Sequence, residues 1–192
     1  MPLPPSSGPT SSFRGRTFEL ATYRLGELPL INRFLDRLRL EQVLRTRLPA
    51  SSSTRESYVH CLLVLLRNLL VAREPLCDVP AWSHPYRPDL LGMPLEESAL
   101  LNDDRLGRAL EALFDTDRAS LLTEIVVRAV REFGLELDRF HNDSTTITLQ
   151  GLYRRADGRT VRGKRTAKAA RGHSKDHRPD LKQLLWILTV SA

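Results

Sequence analysis

The chain has 192 residues, of which 41% are hydrophobic and 27% charged, and its formal net charge is +6. That length holds one domain of ordinary size and part of another, and the composition excludes a disordered chain or a bulk membrane protein. The charge is concentrated: Gln150 to Lys182 carries eleven Lys and Arg against three Asp, a balance of +8, so the remainder sums to −2.

The opening MPLPPSSGPTSS lacks the charged-then-apolar layout of a secretory signal, and residues 1–27 read as a flexible Pro/Ser-rich tail. No stretch reaches the roughly 18 uninterrupted apolar residues of a membrane helix. The longest candidate, Cys61 to Ala72, is broken by Arg67 and Asn68. A cytoplasmic location is expected. Cys61 and Cys77 make no disulfide framework, and neither they nor His60 and His84 have zinc-ligand spacing.

Residues 28–137 read as a helical amino-terminal domain. Leu30, Ile31, Phe34, Leu35 and Leu38 recur at helical spacing, and Leu40, Val43, Leu44 and Leu48 form a second set that Pro49 stops. Ser53-Thr54-Arg55-Glu56 has the form of a capping box opening a helix that runs to about Ala72, apolar on most sides and central to the bundle. Pro75 to Pro94 is a proline-rich connector in which Trp82 either stacks on a base or, as is commoner beside prolines, packs onto the bundle. Asn102-Asp103-Asp104 caps the next helix, with Leu106, Leu110 and Leu113 as its stripe. Asp115 or Asp117 opens the last, with Leu121, Leu122, Ile125, Val126, Ala129, Val130 and Phe133 inward and Gly134 as its stop. Arg45, Arg47 and Arg55 are this region's best candidates for DNA contact, although solvated surface arginines are the commoner case.

Residues 138–192 change character. Phe140 to Leu149, FHNDSTTITL, is rich in β-branched residues and reads as a strand with His141, Asp143, Thr145, Ile147 and Leu149 on one face. Asp is depleted from strands. Asp143 is therefore either a polar strand start fixed by a turn or a charge placed for chemistry. Turn signals follow at Gln150-Gly151 and Asp157-Gly158, the latter suited to a tight hairpin turn. Arg159 to Arg171 is too basic for a core and is expected to project as a mobile loop. Asp176 and Asp180 serve turns or a metal, and Leu184 to Val190 fits a buried strand. The candidate phosphate contacts are Arg154, Arg155, Arg162, Lys164, Arg165, Lys168, Arg171, Lys175, Arg178 and Lys182.

The strings RFHNDSTTITLQG (Arg139 to Gly151) and GHSKDHRPDLKQ (Gly172 to Gln183), followed by LLWILTVSA, resemble the start of the catalytic domain of bacterial insertion-sequence transposases of the DDE, RNase H-like type. Upstream, PLINRFLDRL and LNDDRLGRALEALF resemble the helical amino-terminal region of those proteins. The resemblance implies a mainly α amino-terminal bundle followed by the first strands of an incomplete α/β RNase H-like domain. It implies Asp143 as the first of three metal-binding carboxylates, Mg2+ as the cofactor of the complete enzyme, and the element's terminal inverted repeats as the DNA partner.

The implied chemistry is phosphodiester cleavage and strand transfer by two divalent ions held between three carboxylates. By the family pattern the second and third carboxylates fall beyond Ala192, and no other acid here sits in a matching motif. The expectation is a truncated or split transposase, inactive alone, that self-associates or is completed by a downstream-encoded fragment. The alternative is a DNA-binding or partner-binding module derived from a transposase and competing with the full-length enzyme.

Overall fold

A computed structural model describes residues 11–13, 16–18, 21–49, 52–172 and 177–191. Among them lie seven α-helices followed by antiparallel β-structure, and the chain divides into two compact units, Met1–Glu132 and Phe133–Ala192. No described helix is long and apolar enough to cross a membrane. Within the stretch expected to be a tail, β1 (Ser11–Phe13) pairs antiparallel with β2 (Arg16–Phe18), and the Arg24 N–H donates to Pro85 O at 2.8 Å. Residues 1–10 lie outside the described residues.

In the first unit, α1 (Leu28–Arg37) buries Leu28 and Leu35 with Ile31 packed against them, an i, i+3, i+7 stripe. Leu30 and Phe34, expected inside, are 65% and 47% exposed. Leu28 recentres the apolar face by a fraction of a turn. In α2 (Leu40–Arg47) the expected set holds: Leu40, Val43, Leu44 and the capping Leu48 are all buried.

Helix α3 (Ser52–Val71) is the axis of the core, burying an unbroken run from Val59 to Leu65. It begins one residue before the expected cap, and the Ser53 side chain lies outside the described residues. Glu56 pairs with Arg45 and His60. The connector holds two short helices, α4 (Val79–Ser83) and α5 (Leu95–Ser98), around a 3₁₀ turn at Pro88–Leu91. Trp82 packs against the core, its ring 5.3 Å from that of the buried Tyr86.

Helix α6 (Asp103–Asp115) starts on its expected cap: Asn102 Oδ1 accepts from the Arg105 N–H at 2.8 Å. Its buried stripe is Leu106, Ala109 and Ala112, while Leu110 is 42% exposed. Asp117 accepts from the Ser120 N–H at the start of α7 (Arg118–Phe133), and Gly134, at φ +61°, follows its end. Only part of the expected α7 face is covered, since Leu121 is buried and Ile125 packs against the core but Leu122 and Val126 are exposed. Ion pairs supplement this thin contact, with Arg37 on Glu132 and Arg47 on Glu124.

In the second unit, β3 (Phe140–Leu149) pairs antiparallel with β6 (Lys182–Ser191) over ten residues, Asp143 opposite Leu188 and Leu149 opposite Lys182. Between them β4 (Thr160–Val161) and β5 (Lys164–Arg165) form a hairpin. Its two-residue turn is Arg162-Gly163, with φ of 49° and 75°, not Asp157-Gly158. Two positive φ angles in succession are what a primed hairpin turn demands. Asp157 instead bridges Lys168 in the same register, so Asp157-Gly158 lies in one arm.

The stretch expected to be a mobile loop is thus folded. Ala169 is buried, and Ala170 and Gln183 exchange backbone hydrogen bonds of 3.2 and 2.9 Å. The last strand is extended as expected but not covered: Leu185, Trp186 and Ile187 are more than half exposed.

Candidate nucleic-acid interface

Strand period and register place His141, Asp143, Thr145, Ile147 and Leu149 on one face of the ribbon with Lys182, Leu184, Trp186 and Val190 opposite them. Asn142 and Thr189 face the other way, joined by a 2.6 Å bond from Thr189 Oγ1 to Asn142 Oδ1. Asp143 is exposed, and among the described residues its carboxylate caps no turn and meets no cation within ion-pair distance. A hard cation on carboxylate oxygen needs several oxygen ligands. Among the described residues no group of three potential ligands includes Asp143, so they do not by themselves fit a magnesium ion.

The basic residues sort into committed and uncommitted groups. Arg178 grips Asp180 with two bonds of 2.8 and 2.9 Å, which holds the Asp180 carboxyl below its ordinary value and raises the Arg178 guanidinium. Asp180 is thereby an ion-pair partner. Lys182 Nζ donates to Tyr153 O at 3.0 Å. Arg162 occupies the hairpin turn and Lys164 is half-buried beside it. Arg154, Arg155, Arg165, Lys168 and Arg171 are exposed and meet no carboxylate within ion-pair distance among the described residues. Lys175 lies outside the described residues, as do His173 and Asp176.

Along the ribbon, Lys182 is six residue steps from the position opposite Asp143, about 20 Å at strand rise. A single phosphate does not reach both ends. A duplex does, because its phosphates recur along each strand about every 3.4 Å.

In the first unit the arginines singled out for DNA are largely engaged. Arg45 pairs with Glu41 at 2.5 Å and with Glu56, and Arg47 pairs with Glu124 at 2.7 Å. The geometry also gathers groups that the sequence left apart. Buried His60 faces Glu97 with Nδ1 at 3.1 Å and Glu56 with Nε2 at 3.4 Å, and ligand atoms of Glu41, Glu56 and His60 lie within 4.8 Å of one another. The Arg45 guanidinium already bonds both Glu41 and Glu56, so a cation occupies this cluster and it is an ion-pair network. Glu56 and His60 at i, i+4 were visible in the sequence. Glu41 and Arg45 arrive from another helix.

Residues 20–127, more than half of the chain, match the family described as Domain of unknown function (DUF4277). No curated protein and no solved structure matches the chain.

Proposed function

We propose that this chain, which belongs to the DUF4277 family, is of DDE transposase lineage and acts on DNA through its carboxy-terminal unit. The observation that carries the proposal is an exposed strand carboxylate, Asp143, in the same unit as Arg154, Arg155, Arg165, Lys168 and Arg171, which are exposed and meet no carboxylate within ion-pair distance among the described residues. Cations without partners favour phosphate contact through counterion release. A carboxylate without a structural task on an RNase H-like first strand is the position where such an enzyme binds its first metal ion.

One carboxylate does not make a two-metal site. The chain alone is therefore proposed to bind DNA without cutting it, the other two acids being supplied by sequence outside these 192 residues. Reading the DNA beyond codon 192 in all frames tests the lineage: an Asp-bearing strand followed by a Glu-bearing helix supports it. A metal-dependent nicking assay tests competence. The expected result is no nicking, and robust nicking lost in Asp143→Ala overturns it.

A second reading, a module that competes with a full-length transposase, is favoured by the uncovered ribbon. Leu185, Trp186 and Ile187 are exposed on β6, whose edge away from β3 is paired among the described residues only at Gln183, with Ala170, a surface suited to pairing with another chain. Self-association that Ile187→Lys weakens supports this, whereas a strictly monomeric wild-type chain at micromolar concentration counts against it.

A further inference from the structure

We propose that the helical unit holds a small oxyanion, the phosphate or carboxylate group of a ligand, in the cavity between α1, α2 and α3. The cavity is about 290 Å³ and has Leu35, Leu40 and Leu63 as its apolar wall, with Asp36, Arg39, Glu41, Gln42, Arg45 and Arg67 around them. That size lies at the lower end for small-molecule sites.

Arg67 carries the inference. It is 5% exposed, on the last turns of α3 beside the buried Asn68, and no carboxylate among the described residues lies within ion-pair distance of it. Its Nε donates to Asn32 Oδ1 at 2.8 Å and its Nη1 to Leu63 O at 3.0 Å. Its Nη2 has no hydrogen-bond partner among the described residues. Nη2 is thus the guanidinium nitrogen left to meet a ligand, and a planar guanidinium is the group best matched to a carboxylate or phosphate.

The surrounding charges point the same way. The cavity wall carries two carboxylates, Asp36 and Glu41, and three guanidiniums, Arg39, Arg45 and Arg67, of which Arg45 is shared between Glu41 and Glu56. Arg39 is exposed, has no ion-pair partner among the described residues, and sits at φ 50°, ψ 40° where α1 turns into α2. A non-glycine residue in that left-handed conformation is strained, and the strain places an arginine on the cavity.

The site lies inside the DUF4277 match and does not depend on the transposase reading. The test is thermal unfolding and isothermal titration of the full chain with sodium phosphate and with sodium acetate, each against sodium chloride at equal ionic strength. The expected result is a saturable rise in Tm with at least one oxyanion. A phosphate-only rise assigns a phosphoryl ligand, and an acetate rise assigns a carboxylate. Arg39→Gln, which alters an exposed side chain, weakens the affinity roughly tenfold, as expected for one charge-assisted hydrogen bond. Arg67→Met abolishes it. Should Arg67→Met fail to fold, Arg39→Gln decides alone. No saturable rise beyond chloride, or a rise that Arg39→Gln leaves unchanged, overturns the proposal.

Discussion

Arg67 and Asn32 form the joint of the helical unit. Arg67 Nε donates to Asn32 Oδ1 at 2.8 Å, and Asn32 Nδ2 donates onward to Leu90 O at 2.9 Å, so one amide links α3, α1 and the 3₁₀ turn. Replacing Asn32 with Leu leaves a buried guanidinium donor and a carbonyl unpaired. The expected loss is about 2–3 kcal/mol, read as a lower urea midpoint with an unchanged slope. A variant as stable as wild type would show that water satisfies both groups.

Gly92 presses on the same guanidinium. A Cβ there would stand 2.7 Å from Arg67 Nη1, and the backbone holds φ +75°. Gly92→Ala combines left-handed strain with a clash against a guanidinium held by its bonds to Asn32 and Leu63 O, so a loss of about 2 kcal/mol or more is expected. Gly107, where an added Cβ would meet nothing within 4 Å, is the control. In mid-helix, Gly107→Ala is expected to be neutral or to stabilise by about 0.5–1 kcal/mol.

Glu124 predicts a pH dependence. Hydrogen bonds from Arg47 and Arg128 hold its carboxyl below the ordinary value of 4.5. A folded value below the unfolded one gives stability that is complete above 4.5 and is lost as pH falls through the folded value. The stability gap between wild type and Glu124→Gln is therefore open at pH 7 and closes as the pH is taken below 4.5. A gap of equal size at pH 3 would contradict the assignment.

The two thiols separate by burial. Cys61 is 2% exposed and burial pushes its pKa up to about 11, whereas Cys77 is exposed. The thiolate is the reactive form. At pH 8 a thiol reagent should modify one cysteine rapidly in the native chain and the second only on unfolding, and Cys77→Ser should remove the fast phase. Rapid modification of both would contradict the burial of Cys61.

Local signals carried much of the helical unit. Asn102 as a cap, Gly134 as a stop and the α2 set were legible because each depends on a few neighbouring residues. What failed was settled by tertiary pairing. Asp157-Gly158 is the stronger turn signal in isolation, yet the ladder that aligns Asp157 with Lys168 puts the turn at Arg162-Gly163. Leu30, Leu122 and Val126 fit helical periodicity, but nothing among the described residues covers them. Arg67 was visible in the sequence only as a break in an apolar run. Its role as a buried donor depends on Asn32, 35 residues away. Asp143 was legible as an acid on a strand, while the commitment of Arg178 to Asp180 appears only in three dimensions.

The most direct test of the central claim is the salt dependence of binding by the full chain to duplex DNA, compared between wild type and the variant Arg154→Gln/Arg155→Gln/Lys168→Gln/Arg171→Gln. Each phosphate contact contributes about −0.9 to the slope of log affinity against log salt. The account predicts a steep negative slope for wild type, shallower in the variant by about 3.6, with folding unchanged because all four side chains are exposed. Absence of binding at low salt, or a slope that the four substitutions leave untouched, would contradict it.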